Sequence, residues 1–448
     1  VGSTTAQVTS VLAAPLRQWR TGSPAGSWRS TVWVVTVGLA FFFLSNPLAL
    51  QPNFGISFER AGLVIVAAML ITRSSLRLPR VPWAILLLLL TMAASSLWSI
   101  SPSQSWGVFE FYLKIAVLGF ACAACAPPRT IAFGMAAGGA IVVAASIYAY
   151  VKDNPLVLVP PGADGYLAGV GTNRNILSYT LVLSFAAAIA AVPRQWWARA
   201  VWAVMLASIS VGLFLSQSGT GFVATGILLV GAGALSALRR WRGAVTRRGR
   251  RYVSLAAALA VVAGVAGWPA LGALLGRDSS TLSGRTDLWG TVWRASAGDR
   301  WLGQGWGTVW PHPWAPAAPN HMLDVIYTEL GDLFAHGHNS LFDVLPELGL
   351  LGVLLVVVAH LTVLYRGWSR TQTRADSAAL DDHWAAARLS ILGVLGLALC
   401  GVTEPMVTIP LGWFVLSMLS VSDSVSPARH NGSHVAGAQV TDDRAATA

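Results

Sequence analysis

A chain of 448 residues that is 54% hydrophobic and only 11% charged has too little polar surface to cover a soluble domain of its size. Its net charge of +11 does not point to nucleic acid, because the basic residues are nearly all arginines, set in short clusters between apolar runs. That pattern marks topology determinants in a polytopic membrane protein.

The fold class expected is an all-α integral membrane protein with about twelve transmembrane helices. Apolar runs suited to ~30 Å of hydrocarbon fall near 31–50, 56–72, 82–98, 107–126, 130–150, 175–192, 200–216, 219–238, 252–275, 341–365, 387–403 and 406–422. The first lacks a small-residue cleavage site at its end and reads as a true span, preceded by a cytoplasmic segment at 1–30. Spans one to nine thus fill 31–275, an external segment covers 276–340, and spans ten to twelve fill 341–422. The polar residues 423–448 read as a disordered cytoplasmic tail. Arginine clusters at 17–29, 73–80, 194–199, 239–251 and 366–374 all fall on one side if there are twelve crossings with both termini in the cytoplasm. The working face is then external, on a cytoplasmic membrane.

Within the fourth run Glu110 and Lys114, four residues apart, are expected to neutralise each other. Cys122 and Cys125 share a C-x2-C spacing but lie on an apolar helix, where small packing residues are the simpler reading, and Cys400 sits in another run. The external segment 151–174 is rich in Pro and Gly and leads to Asn173-Arg174-Asn175 at the start of the sixth run, which presents a cation at headgroup level. A short polar turn, Ser216-Gln217-Ser218, separates runs seven and eight.

The segment 276–340 holds Arg285, four histidines (His312, His321, His336, His338) and six tryptophans between Trp289 and Trp314. Thr286–Ala297 reads as a helix, and Arg285 at its start suits a phosphate or pyrophosphate clamp because a guanidinium there stands beside free backbone N–H groups. Asn320–Phe334 carries Leu323, Ile326, Tyr327, Leu330, Leu333 and Phe334 at helical spacing, as expected of an amphipathic helix lying on or near the membrane. The tryptophans suit membrane interfaces and also stacking on sugar rings. His338, followed directly by Asn339 and a span, can serve as a general base toward a hydroxyl, with His336 in support. Zinc on His336-x-His338 with His312 and His321 is disfavoured, because no nearby carboxylate or cysteine completes the set. Glu347, costly in lipid, is expected to hydrogen-bond the loop or an arginine, and Glu404-Pro405, at the outer end of the eleventh run, is placed to line the same cavity.

The block His336 to Gly352, read as H-x-H-N-S-L-x5-E-x-G-x-x-G, resembles the signature of the O-antigen ligase and O-antigen polymerase superfamily. Ser283-Gly284-Arg285-x3-Trp289 with Leu302-Gly303-x-Gly305, the Asn-Arg-Asn of 173–175 and the Ser-Gln-Ser of 216–218 are similar to three further blocks of that family. One departure is that the family often has an arginine where this chain has Gly219. The resemblance implies a metal-independent, inverting, multi-span glycosyltransferase of the GT-C-like kind, without a cofactor, that takes a glycan from undecaprenyl pyrophosphate. It implies catalytic roles for His338 and Arg285, pyrophosphate binding by Arg285 and Arg174, and substrate contacts from Asn173, Asn175, Gln217, Ser218, Trp289, His336, Asn339 and Glu347. One large external loop beside a modest one favours a ligase, which moves a finished glycan onto a glycolipid acceptor such as a lipopolysaccharide core. A polysaccharide polymerase is the alternative. A lipid-linked glycan transporter is less favoured, because the polar residues are external and no repeat relates the two halves.

Overall fold

The computed structural model describes residues 25–46, 57–74, 79–152, 165–171, 173–240, 249, 284–312, 318–372 and 377–421. Among them the regular structure is helical: α1 (Ala25–Ser45), α2 (Ser57–Thr72), α3 (Trp83–Ala94), α4 (Pro102–Cys125), α5 (Pro128–Val151), α6 (Arg174–Ala190), α7 (Trp196–Ser216), α8 (Gly219–Arg240), α9 (Arg285–Ala295), α10 (His321–Leu330), α11 (Ser340–Gln372), α12 (Ser377–Gly401) and α13 (Pro410–Val421). Eleven of the twelve expected runs coincide with α1–α8 and α11–α13. The ninth, at 252–275, and the tail lie outside the described residues. Among the described residues seven helices are long and apolar enough to cross a membrane, and α3, α6 and α13 are apolar but shorter.

Two of the shorter helices, α6 and α13, are strongly enclosed. α6 is buried from Leu177 to Ala190, packed by α5, α7, α8 and α12, and every residue of α13 is buried. The longer α7 and α8 keep much of their apolar surface outward, where lipid would meet it. Glu110 and Lys114 do pair, at 3.6 Å.

At one end of the bundle three arginines gather on Asp381 of α12: Arg129 from the start of α5, Arg194 after α6 and Arg239 at the end of α8. Arg129 also meets Asp382 at 2.7 Å. Basic groups that the charge pattern assigns to one side of a membrane therefore do share one end of the molecule.

α11 carries the feature that positions the site. It contains Pro346, which lacks an N–H, and it opens at Gly349, whose φ of 63° and ψ of −166° are not helical. The chain after α9 docks along the opened turn: Gln304 and Gly305 donate to the carbonyls of Pro346 and Glu347 at 2.9 Å, and Leu350 donates to Arg300 O at 2.7 Å. Backbone groups that the break leaves unpaired are thus satisfied by a neighbouring segment, the condition for irregular chain near a membrane. Gly349 is required twice over, by its positive φ and because a Cβ there would lie 2.2 Å from the Trp301 carbonyl carbon. The Leu302-Gly303-x-Gly305 and Glu347-x-Gly349 blocks are two halves of one joint.

The expected amphipathic helix is α10, capped by the Asn320 side chain on Leu323 N and ended by left-handed Gly331. Its apolar stripe is divided between packing inside the protein and open surface. Met322 and Ile326 are buried with Leu288 and Val292 of α9, Val309, Trp310 and Leu345, and Leu323, Leu330 and Phe334 pack at the edge, while Tyr327 and Leu333 stay exposed. Two helices too short to be stable alone can bury their faces on each other and on α11 at far less cost than by separate insertion.

Candidate functional site

Glu404, in the turn between α12 and α13, is 2% exposed and stands at the opposite end of the bundle from Asp381. Its Oε1 meets Arg285 Nη2 at 3.1 Å and His338 Nδ1 at 3.4 Å, and accepts from Asn175 Nδ2 at 3.4 Å. Its Oε2 faces His336 Nε2 at 3.7 Å. Three family-like blocks and one acidic turn therefore converge on one carboxylate. Ser218, from the fourth block, donates to Asn175 Oδ1 at 3.0 Å.

Local sequence explains each placement. Asn173 caps α6 by accepting from Asn175 N at 2.7 Å, which sets Asn175 on the first turn toward Glu404. Left-handed Gly284 opens α9 and places Arg285 at its first position. His338 has a φ of 47°, a conformation that costs a non-glycine residue about 1–3 kcal/mol and is held only where the surroundings fix it. Asn339 supplies part of that frame: its Oδ1 accepts from Leu341 N at 2.8 Å, and its Nδ2 reaches Val402 O at 2.9 Å.

The electrostatics fix the proton positions. Burial alone would raise the pKa of Glu404, but the hydrogen bond from His338 and the positive groups beside it outweigh burial and hold the carboxyl below its ordinary range. An ionised carboxylate only accepts, so His338 Nδ1 carries a proton toward Glu404 and Nε2 points away from it. His336 Nδ1 accepts from His338 N at 3.2 Å, which places the His336 proton on Nε2, toward Glu404. Burial, with help from His338 and Arg285 and against the pull of Glu404, pushes the His336 pKa down to about 4.

His336, His338 and Glu404 offer three ligand atoms within 4.8 Å of one another, so the carboxylate found wanting in the sequence is supplied from the far end of α12. The residues fit a cation poorly all the same. A metal on His336 Nε2 would need the opposite tautomer, which the His338 N–H bond disfavours, and Arg285 already sits on the carboxylate. His312 is elsewhere, buried near Tyr112 and Glu347 with its pKa pushed down by burial to about 4, and His321 begins α10.

Other expected contacts lie differently. Arg174 stacks its guanidinium 4.7 Å over the Tyr166 ring, one residue away from the Asn175 that reaches Glu404. Gln217 ends α7 in a left-handed turn and donates to Gly165 O at 3.3 Å. Glu347 is fully buried; it accepts from Gly307 N at 3.0 Å and Trp310 N at 3.4 Å, so its oxygens serve the loop backbone. Trp289 stacks on Phe342 at 5.4 Å and donates to Gly337 O at 2.9 Å, which spends one ring face on the histidine turn. Trp306 and Trp310 are buried, Trp293 carries Arg300 at 4.1 Å over its ring, Trp301 stays exposed, and Trp314 lies outside the described residues, so the cluster divides between packing and open rings. Glu404 is expected from the sequence to line the cavity, as an acid at the end of an apolar run, but its central place among the four contacts is not legible there.

Comparison with known proteins adds two similarities. A family model described as O-antigen ligase matches residues 203–357, a segment that holds Ser218, Arg285, Trp289, His336, His338 and Glu347. The chain is also similar to the exopolysaccharide production protein ExoQ of Rhizobium meliloti (strain 1021), 28% identical over 280 residues. That alignment covers 60% of this chain and 61% of ExoQ, less than two thirds of the relative's length. With a multi-span helical fold whose family-like blocks meet at one end, this chain is similar, over part of its length, to proteins of the O-antigen ligase family.

Proposed function

We propose that the protein transfers a preassembled glycan from undecaprenyl pyrophosphate to a glycolipid acceptor on the external face of the bacterial cytoplasmic membrane. The observation that carries this reading is that a base and a guanidinium share one buried carboxylate oxygen, Glu404 Oε1. The acceptor hydroxyl attacks the anomeric carbon and gives its proton to His338 Nε2. The bond from that carbon to the pyrophosphate oxygen breaks, and the electron pair leaves with the pyrophosphate. Arg285 spends one arm of its fork on Glu404, and the remaining donors suit the developing negative charge. Pyrophosphate is already a good leaving group, so positioning and charge neutralisation suffice without a metal.

Glu404 is ill suited to act as a nucleophile while four groups face its oxygens. A single displacement with inversion follows. Arg174, on the turn beside Asn175, is the second cation offered to the donor, and Asn173, Gln217, Ser218, Asn339 and Trp289 shape the cleft around it.

A second reading, polymerisation of lipid-linked chains, is favoured by the similarity to an exopolysaccharide production protein. The test is a transfer assay with purified protein, lipid-linked glycan and a lipid acceptor in the presence of a chelator. A single upshift of the acceptor supports the ligase reading, and a ladder of donor-linked chains without acceptor replaces it with the polymerase. Activity lost to the chelator and restored by a divalent metal refutes metal independence. Both readings fall if His338→Ala and Arg285→Lys keep near wild-type rates, because a planar fork is not replaced by a point charge.

A further inference from the structure

Asp343 lies in the first turn of α11 and is 2% exposed, and its side chain hydrogen-bonds none of the side chains assigned above to the reaction. Its Oδ1 accepts from Gly337 N at 2.8 Å, the residue between the two histidines. Its Oδ2 accepts from Thr408 Oγ1, in the same turn as Glu404. Its backbone oxygen accepts from Trp310 Nε1 at 2.9 Å. One residue thus ties the histidine turn to the acidic turn and to the loop docked on α11.

The ties are close fitted. Thr408 is itself held, since its backbone oxygen accepts from Tyr112 OH of α4. Gly337 has no room for a side chain: a Cβ there would lie 2.9 Å from Phe342 carbonyl atoms and 3.0 Å from Asp343 N. A buried carboxylate is expensive unless its oxygens are paired, and here a backbone amide, a hydroxyl and the N-terminus of a helix do that. So costly a group stands here between two site-bearing turns that also meet through His338–Glu404 and Asn339–Val402.

We infer that Asp343 is the positioning residue of the site, which clamps the His336-Gly337-His338 turn to the Glu404 turn so that His338 Nδ1 stays on Glu404 Oε1. It acts through Gly337 and Thr408 and does not meet substrate. The left-handed backbone of His338 is the conformation this clamp maintains. Without it the turn relaxes, and the imidazole leaves the carboxylate that fixes its tautomer. The inference rests on the transfer reading for its kinetic consequence, but its geometric consequence can be measured separately.

The experiment uses the full chain in detergent or vesicles, as Asp343→Ala, Asp343→Asn and Thr408→Val. In the transfer assay Asp343→Ala is expected to lower kcat at least 100-fold with the donor KM within about twofold, because pyrophosphate binding does not depend on the clamp. Asp343→Asn keeps an oxygen for Gly337 N–H and should recover to within about tenfold of wild type, and Thr408→Val, which removes one arm, should lose about tenfold. The second readout needs no turnover: the rate at which His338 is carbethoxylated, read by mass spectrometry with His321 as internal reference, should rise at least fivefold in Asp343→Ala. If Asp343→Ala does not fold, the Asn and Val variants, which keep the side-chain volume, carry both readouts. A wild type inactive with every donor would refute the transfer reading, while the modification rates would still decide the clamp. Unchanged kcat together with an unchanged His338 modification rate, or equal damage to kcat and KM in the Ala and Asn variants, overturns the proposal.

Discussion

The two ends of the bundle each hold a carboxylate ringed by three basic side chains. Asp381 has Arg129, Arg194 and Arg239, and Glu404 has Arg285, His336 and His338. The difference lies in water and in partner chemistry. The Asp381 side chain keeps 24% of its surface, so solvent screens its partners, and arginines that are always charged leave it nothing to exchange. Glu404 keeps 2%, and two of its partners are imidazoles able to give up or take a proton. The first arrangement fastens helix ends, and the second is suited to chemistry.

The sharpest way to break this contrast is to neutralise each carboxylate. Glu404→Gln should lower the transfer rate by about 10²–10⁴-fold, the usual contribution of a general base and its alignment, with protein yield retained. Equal rates for Glu404→Gln and wild type would make the two ends alike.

The next effect concerns the frame. Gly349→Ala places a side chain against Trp301 at positive φ and should cost more than about 2 kcal/mol, read as lost thermal stability or lost expression. An unshifted melting temperature would mean that the loop after α9 is not fastened to the break.

Acid should act on the Glu404 end. His336 has its folded pKa pushed down to about 4 from 6.5, so between those values the unfolded chain binds the extra proton. Its contribution to stability is present above about pH 6.5 and is lost as pH falls toward 4. Glu404, also held low, adds a loss in the same direction at still more acid pH. Thermal melts of wild type and His336→Gln from pH 7.5 to 4 should converge as the pH falls; curves that stay parallel would remove His336 from the account.

The smallest effect is at the other end. Asp381→Asn should change stability by about 1 kcal/mol or less and leave the transfer rate within about twofold, measured on the same preparation.

The helices and the location of the site were largely legible, because apolar runs and local motifs such as His336-x-His338-Asn339 are properties of short stretches. What was not legible depends on contacts across long separations. Glu404 joins His338 over 66 positions, and nothing within either segment announces the meeting. The stripe on α10 was visible, but its target was not, since a membrane surface and a partner helix ask for the same periodicity. The tryptophans were only partly legible for a related reason: composition reports how many there are, and only packing separates buried Trp306 from exposed Trp301.

The break in α11 also settles a matter of length. A 33-residue helix measures about 50 Å, well over the ~30 Å of hydrocarbon it would cross. The part beyond Gly349, running to Gln372, measures about 34 Å and can span alone. The turns before it, with Asp343 and Glu347, are then not needed for the crossing, so the length of this helix does not require either carboxylate to be dissolved in lipid.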